Sequence, residues 1–171
     1  MQIKIKSARL SFPSLFKKAV FNGNETKYEA TFLVPKGSPQ ALAIQEAVDS
    51  FVEATFKDKI PKGLKKTCVK DGDDVEYDGY EGQLALKASS TRRPGVFDLD
   101  KTPLVEEDNR LYAGCFVNAI VDLWYSDHPL GGKQILASLA GVQFAKDGEA
   151  FSSGGTTADD FDFGDDDDDQ F

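Results

Sequence analysis

Apolar and polar positions alternate along residues 2–10, with Ile3 and Ile5 set against Gln2, Lys4 and Lys6, which is the period of a half-buried strand. Residues 27–34 repeat it, placing Tyr28, Ala30, Phe32 and Val34 on one face and Lys27, Glu29 and Thr31 on the other. The period then changes. Ser38 and Pro39 supply an N-cap and a favoured first-turn residue, and Leu42, Ile44, Ala47, Val48, Phe51, Val52, Thr55 and Phe56 recur at helical spacing. This predicts one helix ending near Lys59, ahead of Pro61. Strands are expected again over 83–89, 114–125 and 134–144, with Gly131 and Gly132 turning the chain into the last of them. In 114–125 the face holding Cys115, Val117, Ala119, Val121, Leu123 and Tyr125 is a core face. The opposite face mixes Phe116, Asn118, Ile120, Asp122 and Trp124, as a recognition surface or a covered one would. Segments 57–82 and 90–110 read as long loops, which in a compact domain usually have a job. The expected fold is mainly β with one helix, a five-stranded barrel of the OB type with long loops.

Charge changes the picture at the C-terminus. Residues 147–171 hold ten acidic residues and none of the 20 Lys and Arg, leaving nineteen acids against twenty bases in residues 1–146. The expected organisation is therefore one domain, 1–146, and a disordered acidic tail, 147–171. A run of like charge repels itself and stays solvated, while Phe161, Phe163 and Phe171 stand in it as isolated apolar groups that a partner could grip. Within the body, residues 1–70 carry thirteen bases and six acids, whereas 71–81 carry six acids and no base. A basic half joined to an acidic tail suits a binder of polyanions that brings its own anionic competitor.

Catalytic and metal-binding patterns are absent from the sequence. His128 is the single histidine, Cys68 and Cys115 form no close motif, and the acidic loop lacks calcium ligands where Val75 and Gly82 stand. No glycine-rich phosphate loop and no nucleophile context occurs, so neither an enzyme nor a cofactor is expected. Unpaired thiols and the lack of an export signal or a long apolar run point to a cytoplasmic protein, in the host cell if the source is viral.

What remains is the apparatus for holding single-stranded nucleic acid, in which cations follow the backbone and aromatic faces stack bases. Phe12, Phe16, Lys17, Lys18 and Phe21 interleave the two kinds, Lys62, Lys65 and Lys66 form a basic loop, and Arg92, Arg93 and Phe97 lie in another. Tyr112 and Trp124 are candidates on the late strand. Core packing is the ordinary role of any one of these phenylalanines, and a solvated surface that of any one lysine pair. Their conjunction points to single-stranded nucleic acid held without fixed sequence.

Ser11-Phe12-Pro13-Ser14-Leu15-Phe16, Lys27-Tyr28-Glu29-Ala30-Thr31-Phe32-Leu33-Val34-Pro35-Lys36, Leu111-Tyr112-Ala113-Gly114-Cys115 and Gly141-Val142-Gln143-Phe144 together resemble bacteriophage single-stranded-DNA-binding proteins of the Enc34 and DUF2815 type. These are OB-fold proteins similar to the replication protein of T7-like phages, and the resemblance spans nearly the whole chain. It implies a sequence-independent binder that protects replication and recombination intermediates. It also implies an acidic tail, Asp165, Asp166, Asp167, Asp168, Asp169 and the terminal Phe171, that recruits replication or recombination proteins and competes with DNA. A strand-annealing protein, with a homo-oligomer to match, and an acidic DNA mimic are the alternatives.

Overall fold

Residues 1–151 are described in the computed structural model of the chain. In order they form β1 (Gln2–Ser14), a short hairpin of β2 (Val20–Phe21) and β3 (Asn24–Glu25), β4 (Tyr28–Pro35), helix α1 (Pro39–Phe56) and β5 (Val69–Asp71). Then come β6 (Gln83–Ser90), β7 (Gly95–Phe97), β8 (Phe116–His128) and β9 (Gly132–Lys146). Antiparallel pairing runs from β6 through β4 and β1 to β8 and β9. A parallel bridge between Ser89 and Ser138 joins β9 back to β6, closing a ring of five strands. The expected mainly β body with one helix is what the chain adopts.

Alternation decides what each strand buries. Ala30, Phe32 and Val34 of β4 face inward, as do Val117, Ala119, Val121 and Leu123 of β8, where they meet Ile5, Leu86, Ile135 and Val142 in one core. Truncating a fully buried ring such as Phe32 to Ala in such a core costs about 3–5 kcal/mol. Helix α1 adds Ala41, Ile44, Val48 and Val52 to the same core, and its Ser38 side chain accepts from Ala41 N–H at 3.2 Å as an N-cap. It stops at Phe56 rather than near Lys59, because the backbone of Lys57 turns to φ 55°. Leu42 stays exposed, one position off the buried stripe.

Two expectations meet a different outcome. The expected loops 57–82 and 90–110 contain β5 and β7, which add to the ring at β6 and β9. Short polar segments of this kind carry little periodicity, and pairing with a preformed edge orders them. At the other end of the body, residues 147–151 of the expected tail lie along it: Phe151 N–H donates to Ala113 O at 3.0 Å, and the Phe151 ring packs with Leu33, Tyr80 and Ala85. The rest of the tail, including Asp165 to Asp169 and Phe171, lies outside the described residues. No helix among the described residues is long and apolar enough to cross a membrane.

Candidate nucleic-acid interface

A cleft of about 370 Å³ opens on the outer surface of β4, β5 and β6, lined at one end by Phe12, Tyr77 and Tyr80 and along its length by Thr31, Lys70 and Lys87. Past Glu29, Thr67, Cys68 and Lys87 it continues into a second hollow bounded by Lys27, Ser89 and Leu136. Its aromatic end is assembled from distant parts of the chain. Phe12 sits where the register of β1 shifts against β4, with φ 47°, a conformation unusual for a bulky side chain and the kind of local strain found at functional positions. Tyr77 and Tyr80 come from the acidic loop. That loop folds back so tightly at Gly72 that a Cβ there would lie 2.0 Å from Tyr80 O, so only glycine fits.

Two edge-on approaches and one tilted one, between Phe12 and Tyr80, fix the rings. Phe12 meets Tyr77 at a centroid distance of 4.9 Å, Tyr77 meets Tyr80 at 5.2 Å, and Phe12 meets Tyr80 at 6.3 Å. Tyr80 is 4% exposed and its hydroxyl lies 2.9 Å from Ser11 Oγ, whereas Phe12 and Tyr77 are 51% and 54% exposed. Two open rings are thus held against a buried third, a preorganised platform on which flat apolar groups can stack. Lys36 ties the loop down by hydrogen bonds to Asp71 and Asp73, which hold both carboxyls below the usual carboxylate range and the ammonium above the usual lysine range. Asp73 also accepts from Gly82 N–H at 2.9 Å.

Beyond the rings the cleft is cationic but not uniformly so. Lys87 lies 3.5 Å from Glu29, and Lys70 and Lys27 are exposed on either side. Burial pushes the Cys68 thiol up to about 11 and raises the Tyr80 phenol, so both wall groups are neutral at pH 7. The cleft offers stacking, hydrogen bonding and charge.

The predicted residues distribute around this cleft unevenly. Phe12 is in it. Phe16 is half-buried against the core with the Arg93 guanidinium 5.5 Å from its ring centroid, and Arg92 and Arg93 are exposed just past the end of β6. Lys17 pairs with Glu106 at 3.4 Å and Lys18 is half-buried, both in the β1–β4 connection where Val20 and Phe21 are exposed. Lys65 lies in a segment hydrogen-bonded to the start of β9, Lys66 pairs with Asp49 of α1, and Lys62 is exposed in the same stretch. Trp124 is 39% exposed on the outer face of β8, opposite Leu136 at the far end of the cleft. Two stand elsewhere. Phe97 lines a different groove, and the Tyr112 hydroxyl lies 2.9 Å from both Asp147 Oδ1 and Gly148 O, holding down the C-terminal run.

Tyr77, Tyr80, Lys70 and Lys87 were not among the predicted residues. Lys87 had a signal, being the one charged residue inside the apolar run of β6. Tyr77 and Tyr80 had none, because only the long-range pairing of β5 with β6 brings them to Phe12.

A family model described as "Enterobacter phage Enc34, ssDNA-binding protein" matches residues 1–171. A protein p50 of Acyrthosiphon pisum secondary endosymbiont phage 1 is 39% identical over 168 residues, covering 92% of this chain and 90% of its own. The single-stranded DNA-binding protein from bacteriophage Enc34, solved in complex with ssDNA, superposes with a TM-score of 0.72 at 30% identity, covering 88% of this chain and 89% of that one. The single-stranded DNA-binding protein gp2.5 of bacteriophage T7 shares the fold, with a TM-score of 0.60 at 12% identity over 94% of this chain and 92% of its own. The Enc34 and T7 proteins are described by single-stranded-DNA binding rather than turnover, in line with the expectation of a non-enzyme.

Proposed function

Because the chain belongs to the Enc34 single-stranded-DNA-binding family of phage proteins, we propose that it binds single-stranded DNA without sequence preference along the cleft over β4 and β6. The observation that carries this reading is the Phe12–Tyr77–Tyr80 platform at the head of a lysine-flanked cleft. We read the ring as an OB-type barrel, in which β4 and β6 are the second and third strands, the face such barrels use for oligonucleotides. Bases stack on Phe12 and Tyr77, while phosphates follow Lys70, Lys87 and Lys27, with Arg92, Arg93 and Trp124 near its far limits. Stacking on a fixed ring contributes about 1–3 kcal/mol per base and tolerates any base.

In this reading the protein coats replication or recombination intermediates in the host cytoplasm. Its acidic C-terminal segment, Asp165 to Asp169 with Phe171, recruits partner enzymes. The test is a titration with oligo-dT and with duplex DNA of equal length at several salt concentrations. Tight, salt-dependent binding of the single strand and weak binding of the duplex is expected. Equal affinity for both would sink the assignment, since stacked platforms need unpaired bases.

A further inference from the structure

On another part of the ring, the outer faces of β1, β8 and β9 and the edge strand β7 enclose a groove of about 540 Å³. Its floor is Ile120 beside Gly141, and its wall is the Phe97 ring, laid so closely over Gly95 that a Cβ there would lie 2.8 Å from it. Gly141 pairs with Gly95 across β9 and β7, so no side chain rises from either position to fill the hollow. The polar members of the groove already satisfy one another. Asn118 donates to Gln143 at 3.0 Å and accepts from Ser7 N–H, and Gln143 donates to the carbonyls of Asp98 and Leu99. What is left over is apolar surface and cations. The side chains of Lys4, Lys6 and Lys101 stand around the groove and pair with no carboxylate among the described residues.

The β2–β3 hairpin has the opposite make-up. Asn22 and Gly23 turn it with φ 52° and 79°, both positive as a type I′ turn requires, so the turn twists with its strands and holds the tip stiff. Residues 20–27 are all exposed, Val20 by 66% and Phe21 by 70%, and the arm stands out from the body with its apolar side chains bare. From Ala19 to Thr26 the one charged residue is Glu25, the cross-strand partner of Val20. A valine, a phenylalanine and a carboxylate on a stiff arm complement an apolar groove rimmed by three lysines. We propose that this groove receives the β2–β3 hairpin of a second copy of the chain.

The two surfaces lie at opposite ends of β1. From Lys4 at the groove to Ser14, where the chain leaves for the hairpin, is about 30 Å of strand, and the residues from Ala19 to Asn22 reach at most about 10–11 Å. A chain's hairpin is thus seated on its neighbour and not on itself. Such a contact is heterologous: each copy keeps a free hairpin at one end and a free groove at the other, which builds an open row and not a closed dimer. An open row is the arrangement that coats a strand, and this consequence, unlike the contact itself, rests on the DNA reading above. A long strand lying in the clefts holds neighbours at a high local concentration, so copies fill it cooperatively, while a strand that holds one copy gains nothing. Charge decides against DNA as the ligand of the hairpin, since phosphates would meet Glu25 near the tip and find cations, Lys18 and Lys27, only at its base.

The test cross-links the full chain through Asn24→Cys on the hairpin and Lys4→Cys at the groove with a short bis-maleimide, Cys68 and Cys115 being buried. Without DNA, a mixture of the two single variants should give a dimer holding one of each, and a chain carrying both should give a ladder of covalent oligomers. Phe21→Ala trims an exposed ring, and Gly141→Leu fills the groove with a Cβ that meets only Gly95 O at an ordinary 3.5 Å, so both keep the fold. Either should cut the yield to that of Asn24→Cys mixed with Leu130→Cys on the exposed β8–β9 turn. Glu25→Lys should lower it as well, and Lys6→Glu in the groove-bearing chain should then restore it. Dimers of Asn24→Cys alone, a bond closed within one chain, a yield no higher than that of the Leu130→Cys mixture, or cross-links that survive Phe21→Ala and Gly141→Leu would overturn the proposal. So would a loss of affinity on Phe21→Ala for an oligo-dT that holds one copy, which would assign the hairpin to DNA instead. The cross-links form without DNA, so their failure and failure of the DNA reading are separate results.

Discussion

The cleft over β4 and β6 joins two open rings to lysines that share their space with Glu29 and Thr31, whereas the groove over β1, β8 and β9 sets three lysines, none paired with a carboxylate among the described residues, around isoleucine and glycine. Both are carved into the outside of one ring and both are cationic. The difference lies in what stands between the charges. Fixed aromatic faces with spaced cations suit a ligand that alternates flat bases with phosphates, and a carboxylate among them lowers the attraction for any anion lacking a base to stack. An apolar floor with a cationic rim suits an apolar side chain beside a carboxylate. Positive charge by itself therefore does not identify a nucleic-acid site, and the groups between the charges decide the ligand.

The comparison breaks first at the rings. Phe12→Ala with Tyr77→Ala should remove about 2–6 kcal/mol of single-strand binding, by the worth of two stacked bases, with little change in salt dependence. The Gly141→Leu change in the groove should leave that affinity where it was. A fluorescence titration of all three proteins against salt checks both statements, and an equal loss in each would merge the two surfaces into one.

Next in size is the support beneath the rings. Ending the chain at residue 146 removes the Tyr112–Asp147 hydrogen bond and the Phe151 ring that packs on Arg9 and Tyr80. Stability should fall by about 1–3 kcal/mol, and the aromatic end of the cleft should loosen with it. Ending the chain at 151 should leave the denaturant midpoint unchanged. Equal midpoints for the two truncations would show that residues 147–151 add nothing to the body.

Smaller effects belong to single charges. Replacing Lys70 or Lys87 with Ala should lower the slope of log affinity against log salt by about 0.7 for each phosphate no longer neutralised, and Arg92→Ala with Arg93→Ala by about twice that. Lys4→Ala and Lys101→Ala in the groove should leave the slope alone. Smallest of all is the tail beyond 151: deleting eight aspartates there should raise single-strand affinity slightly at low salt, an effect that fades as screening grows. A large gain persisting at high salt would mean that the tail fills the cleft itself.

Much of the ring was legible because its strands bury one face. Ile3 and Ile5, Phe32 and Val34, and Val117 to Leu123 mark inward positions by period alone, and Ser38 with Pro39 marks the helix start. Strand ends were legible less well, since β1 runs on to Ser14 through two register shifts that no local pattern announces. The cleft was half legible. Phe12 and Arg93 stood out as aromatic and basic residues in turn-rich stretches, but Tyr77 lies between Glu76 and Asp78, where composition reads as a solvated loop. Tyr112 and Phe97 looked like equal candidates to Phe12. Only the fold reveals that the Tyr112 hydroxyl is occupied by residues 147 and 148, and that Phe97 looks onto a different surface.

The ring closes where β6 meets β9, and that seam has one direct residue pair, Ser89 with Ser138. Beside it the chain from Lys65 to Cys68 is spliced in: Cys68 N–H donates to Ile135 O, and Lys87 N–H donates to Cys68 O. With a single ladder pair to hold it, the seam is expected to be the first part of the ring to open in native-state hydrogen exchange. The cleft runs across this seam, with Lys87 and Ser89 on one bank and Leu136 and Ala137 on the other. A strand lying in the cleft would act as a clasp, slowing exchange of the Cys68 and Lys87 amides and raising the melting temperature in proportion to the logarithm of its concentration above the dissociation constant.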